Sequence, residues 1–178
     1  QTPDSLAKPT QTLIYQTCLR RIGLYPMEFH SIASKFKHGN PTMEAILRQA
    51  FQDADAVIAL FTPDDEATLR KPLRKTGRVG DGQKRHQPRP SVLIEAGMAL
   101  GHLPKRTIFV HVGTIAQISD LAGSHYINVD SSDIGKNNLA NRLKSIGMPV
   151  DTSGTDWLKD NGSFTIKGSA RRRRRRRT

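Results

Sequence analysis

The chain has 178 residues, 36% of them hydrophobic, with one cysteine and a formal charge of +12. That length fits one domain with a real core, and a lone Cys18 excludes a disulfide framework and suggests a reducing, cytoplasmic compartment. No apolar run is long enough for a membrane helix, and the first residues lack the layout of a signal peptide. The charge is unevenly spread: Arg171 to Arg177 carry seven positive charges, and subtracting them leaves +5. Such a run repels itself and is expected to be disordered, able to touch nucleic acid or anionic lipid only non-specifically.

Taken in chain order, Ile14, Cys18 and Ile22 recur every four residues, which predicts an amphipathic helix from Gln11 to Ile22 stopped by Gly23. Leu24 to Phe29 reads as extended, with Pro26 placing it near a sheet edge, and Ser31 to Gly39 reads as a loop. The next helix is expected to be capped by Asn40, with Pro41 in its first turn. It carries Met43, Ile46, Leu47, Ala50, Phe51 and Ala54 on one face. Ala56 to Phe61 follows as an unbroken apolar run, as do Thr107 to Val112 and the shorter Tyr126 to Val129. Strands covered by helices on both faces have this character.

The basic connection from Arg70 to Pro90 contains Gly77, Gly80 and Gly82 but matches neither phosphate-binding glycine fingerprint, so it reads as a surface loop. A last helix is expected from Lys136 to Ile146, ended by Gly147, with Trp157 anchoring the segment beyond it. Residues 11–150 therefore form the expected domain and 151–178 a C-terminal extension. Helices alternating with buried strands imply crossover connections, hence a three-layer α/β/α domain on a parallel sheet. Ligands on such sheets bind beyond the carboxyl ends of the strands, where Asp64, Asp65 and the segment leading to Glu95 fall.

Arg89 to Gly101 is the most informative stretch. Ser91 is a candidate cap, and between 92 and 101 Glu95 is the only polar side chain. A helix apolar all round is normally buried, and an unpaired buried carboxylate is costly. Gly97 and Gly101 suit close approach by another backbone or a ligand. Glu95 is either a structural partner of a base such as Arg89, or a first-turn carboxylate held charged by the helix dipole for work on a sugar cation. The six histidines (30, 38, 86, 102, 111 and 125) contain no i, i+4 pair and the cysteine is alone, so no metal site is expected.

Ala54-Asp-Ala-Val-Ile-Ala-Leu-Phe-Thr-Pro-Asp-Asp-Glu-Ala67, followed by Arg89-Pro-Ser-Val-Leu-Ile-Glu-Ala-Gly97, resembles the bacterial TIR-like predicted nucleotide-binding proteins. The likeness continues through Arg106 to Val112 and through Ser119, Asp120 and Gly123, and fades near Trp157. It implies a flavodoxin-like domain that recognises NAD or a related nucleotide as substrate, with no further cofactor. Relatives of that family cleave NAD in anti-phage immunity and associate through TIR contacts. By that resemblance Glu95 is the catalytic carboxylate, while Thr62, Asp64, Asp65, Arg89 and Ser91 line the nucleotide cleft.

Two departures matter. Ser91 stands where the family usually has asparagine, and the family's first buried strand and its loop have no counterpart before Leu13. That strand is either upstream or replaced by another segment, such as Phe164 to Lys167. Two alternatives stay open beside NAD glycohydrolase or cyclase activity. One is a non-catalytic nucleotide-binding or TIR–TIR module. The other is a nucleoside deoxyribosyltransferase-like enzyme, since Glu95-Ala96-Gly97-Met98-Ala99 also suits that group.

Overall fold

A computed structural model describes residues 16–27, 29–37, 39–74, 82–116, 118, 126–130 and 132–159. Helix α1 occupies 16–21 and stops at Gly23, whose φ of 81° is a left-handed conformation that only glycine adopts cheaply. No strand forms between Leu24 and Met27, contrary to the extended edge expected there; Pro26 offers no amide to a ladder. The presumed loop after it contains the short helix α2, Phe29–Ala33. Helix α3 spans Met43–Asp53, two residues later than Asn40 and Pro41 suggested, because Thr42 is the cap and its hydroxyl accepts from the Ala45 amide.

Strands β1 (Val57–Phe61), β4 (Thr107–His111) and β5 (Ile127–Asn128) make a three-stranded parallel sheet in the order β1-β4-β5. Val57 to Phe61 lies in register with Thr107 to His111, and Val110 with Ile127. Between β1 and β4 the chain makes a small antiparallel hairpin that a loop reading of the region misses. Strand β2 is Asp65–Ala67 and β3 is Arg85–Gln87, with a 3-10 turn at Lys71–Leu73 between them. Lys84 holds Glu66 across that hairpin at 2.8 Å. Helix α4 (Pro90–His102) and helix α5 (Asp133–Ser145) complete the order. Ser132 caps α5 by accepting from the Gly135 amide, and Gly147 closes it with φ 85°.

Alternation along β1 sorts the side chains between two layers. Ala59 and Phe61 pack with Ala96 of α4 and with Phe109, while Val92, Leu93 and Leu100 press on that group. Ile58 and Leu60 point the other way, against a larger cluster of Cys18, Ile22, Ile108, Val110, Leu139, Leu143 and Trp157. The fold is therefore a three-layer, flavodoxin-like α/β/α arrangement with α1 and α5 on one face and α4 on the other. Trp157 is 5% exposed and does anchor the segment after α5. Lys136 is buried beside it, and its ammonium donates to the Leu158 carbonyl at 2.6 Å. The polyarginine run and Phe164 to Lys167 lie outside the described residues.

Candidate functional site

Helix α4 positions the key carboxylate, and it does so differently from the sequence expectation. The helix begins at Pro90, with Arg89 at the cap position and no side-chain cap bond. Ser91 is thus inside the first turn and caps nothing. Glu95 is the sixth residue of the helix, so it lies past the first turn, where the dipole has largely faded. Nor is the helix buried all round: only Ala96 and Ala99 are buried, and Ile94 is 65% exposed. A methyl group built on Gly97 or Gly101 would meet nothing within 4 Å, so neither glycine serves a close approach among the described residues.

What α4 does provide is one face pointed at a cavity. Ser91, Val92, Glu95 and Ala96, spaced one turn apart, form one wall of a cavity of about 410 Å³. Val57 to Leu60 form its floor, and Leu47 and Phe51 of α3 close the far side. Thr62, Asp64 and Arg89 stand at its mouth, beyond the carboxyl end of β1. Five of the six residues singled out from sequence therefore line one concavity. The sixth, Asp65, is the first residue of β2 and pairs with Gln87 in the hairpin.

The electrostatics separate Glu95 from its neighbours. Arg89 approaches Asp64, Nε to Oδ2 3.8 Å, rather than Glu95. The structural partnership between Arg89 and Glu95 considered above does not form. Among the described residues nothing hydrogen-bonds or ion-pairs with the Glu95 carboxylate. Burial against Val92, Ala96 and the apolar floor pushes its pKa above the usual carboxylate range. A partly desolvated carboxylate that faces a cavity without a partner is poised for a ligand cation or hydroxyl.

The apolar walls from α3 and β1 were legible only as core. Leu47 and Phe51 sit on the helix face that the periodicity marks as buried, and nothing in their spacing distinguishes a cavity wall. A second concavity of about 460 Å³ lies between β5 and α5, lined by Asn128, Asn138, Asn141, Arg142 and Ser145. Tyr126 also lines it, and among the described residues it holds no carboxylate or histidine. His111, at the carboxyl end of β4, packs against Tyr126 with the rings tilted by 35° and centroids 4.0 Å apart, and burial lowers its pKa. No three His, Cys, Asp or Glu side chains converge on a possible metal position among the described residues. No helix among them is long and apolar enough to cross a membrane.

Comparison with known proteins bears on the fold and the family. No curated protein matches the chain closely enough to be informative. A family model described as CAP12/Pycsar effector protein, TIR domain, matches residues 8–131, well over half of the sequence and the whole of the segment from α1 through β5. The chain belongs to that family of TIR-domain effectors.

Proposed function

We propose that this domain cleaves the N-glycosidic bond of NAD, releasing nicotinamide, as the enzymatic arm of a bacterial defence response. The observation that supports the reading is the Glu95 carboxylate: unpaired, partly desolvated, and facing a cavity at the carboxyl end of a parallel sheet. As the bond from C1′ to the nicotinamide nitrogen breaks, its electron pair leaves with nicotinamide and positive charge grows on the ribose ring. A carboxylate in an apolar wall stabilises that oxocarbenium-like state more strongly than it would in water. Water then adds to C1′ and gives up a proton, which a carboxylate of raised pKa can accept. The products are nicotinamide, ADP-ribose and a proton; capture by another part of the nucleotide would give a cyclic product instead.

The remaining residues fit supporting parts. Asp64 offers a carboxylate to ribose hydroxyls, with Arg89 beside it at the mouth available to a phosphate oxygen. Thr62 and Ser91 add hydroxyls that donate or accept. Leu47, Phe51, Val92 and Ala96 supply an apolar bed for the flat nicotinamide or adenine ring.

Incubating the purified full chain with NAD across a protein dilution series, and separating the products by chromatography, tests this. The wild type should release nicotinamide, and Glu95→Gln should release at least about 1,000-fold less, a barrier increase of roughly 4 kcal/mol. Retained turnover in Glu95→Gln would remove that residue from the mechanism. A wild type that binds NAD without consuming it would leave the non-catalytic module as the function, and base exchange between deoxynucleosides would point to the transferase.

A further inference from the structure

The positive charge of the chain has a second concentration besides its C-terminal run. Residues 70–89 hold eight lysines and arginines against the single carboxylate of Asp81, which is +7 of the chain's +12. With those residues and the seven terminal arginines both set aside, the rest of the chain carries −2. A surplus gathered into one connection, on a domain otherwise slightly acidic, is the electrostatic pattern of a surface that meets a polyanion.

That connection is built into the fold. The Ala116 amide, beyond β4, donates to the His86 carbonyl of the hairpin at 2.7 Å, and Pro88 at the hairpin's base is fully buried. Arg74 closes the 3-10 turn by donating from Nε to the Leu69 carbonyl at 2.8 Å. A Cβ built on Gly82 would stand 3.3 Å from the same guanidinium, so Arg74 reaches from the turn to the returning chain. Held in this way, Thr68 to Leu73 are all exposed, Leu69 by 41% and Leu73 by 63%. Two leucines four positions apart on one turn, with Arg70 and Lys71 between them, make an apolar tip with a cationic collar.

We propose that this turn seats the protein on an anionic lipid surface, with Leu69 and Leu73 entering the apolar layer while Arg70, Lys71 and Arg85 meet the headgroup anions. The composition chooses a bilayer over other polyanions. Single-stranded nucleic acid is held by stacking bases on aromatic rings, and from Thr62 to Arg89 there is no Phe, Tyr or Trp. A duplex backbone would take the cations but offers nothing to the leucines. An acidic protein would need a pocket shaped for both of them. The interfacial layer of a membrane accepts any apolar tip, and it sets anionic groups at the depth that lysine and arginine reach.

The seven terminal arginines add attraction to the same surface, and stable anchoring generally takes two such signals. The hairpin leaves the domain beside Asp64 and returns at Arg89, so the seated face adjoins the cavity mouth. The proposal concerns the hairpin and stands whether or not NAD is the substrate.

Leu73→Trp in the full chain reads the depth directly. Trp157, the chain's own tryptophan, is buried, so a change in emission belongs to position 73. Vesicles of phosphatidylcholine with roughly 30% phosphatidylserine should shift that emission to the blue, and brominated acyl chains should quench it about twofold or more. Pure phosphatidylcholine vesicles should do neither. The double change Leu69→Ser and Leu73→Ser keeps every charge, the terminal arginines included. It should lower partition onto the anionic vesicles by about tenfold or more in a sedimentation assay. Unshifted emission, or a double variant that partitions like the wild type, would overturn the proposal, since the terminal arginines alone would then account for any binding. Equal quenching in pure phosphatidylcholine would overturn it by removing the role of charge. An emission that answers to RNA or duplex DNA and not to vesicles would overturn it in favour of a nucleic-acid surface.

Discussion

The two faces of the sheet carry opposite amounts of finished structure. On the α1 and α5 side, Ile22, Val110, Val112, Leu139, Ala140 and Leu143 are essentially inaccessible, and even a lysine is buried with its ammonium bonded to a carbonyl. On the α4 side the core of buried residues is Ala59, Phe61, Ala96 and Phe109, and the helix that covers it leaves Ile94 in solvent and Glu95 facing a cavity. Dense packing supplies stability, while a carboxylate without a partner subtracts from it. One face therefore supplies the stability that the other face draws on, a division often seen where a site must hold a group in an unfavourable state.

The sharpest way to break this contrast is truncation on the dense face. Leu143→Ala should cost about 2–5 kcal/mol, measured as a lower urea midpoint, because the surrounding α1, β4 and Trp157 side chains cannot collapse into the vacancy. A cost below about 1 kcal/mol would mean the dense face is less rigid than its burial suggests. The middle-sized test lies on the opposite face. Gly97→Ala should stabilise by about 0.5–1 kcal/mol, since its added methyl meets no neighbour and alanine is the better helix former. A loss there would show that something outside the described residues packs against α4.

Those tests also mark where the amino-acid sequence was readable. The apolar runs at Val57 to Phe61 and Thr107 to His111 announced buried parallel strands, and the Thr62-to-Asp64 and Arg89-to-Glu95 motifs converged on one cavity. Their signals are local: period, propensity and chain order fix them without knowledge of partners. What escaped prediction depends on contacts distant in sequence. The β2–β3 hairpin pairs Asp65–Ala67 with Arg85–Gln87 across a long connection with no alternation to betray it. Helix α4 looked buried because Glu95 is the only polar side chain between 92 and 101, but its exposed line includes Pro90, Ile94, Gly97 and Gly101, which composition cannot distinguish from core. The capping shift from Asn40 to Thr42 is of the same kind, since both residue types cap well and the choice falls to packing.

The smallest expected effect bears most directly on the cavity. Burial raises the Glu95 pKa above its unfolded value near 4.5, so the folded protein holds that proton more tightly than the unfolded chain does. The stabilisation from this group is complete below the unfolded pKa and is lost as pH rises through the folded one. At neutral pH the wild type carries a charged carboxylate against Val92, Ala96 and the floor of β1, whereas Glu95→Gln carries a neutral amide of nearly the same shape. The variant should therefore melt slightly above the wild type at pH 7, and the difference should shrink to nothing as the solution is acidified below about pH 4.5. Side-by-side thermal melts at several pH values measure it. A variant that melts lower at neutral pH would mean the carboxylate is held by a favourable partner rather than left unsatisfied in the cavity wall. Coupled with loss of nicotinamide release, a gain in stability would instead be the signature of a residue kept for activity at the expense of the fold.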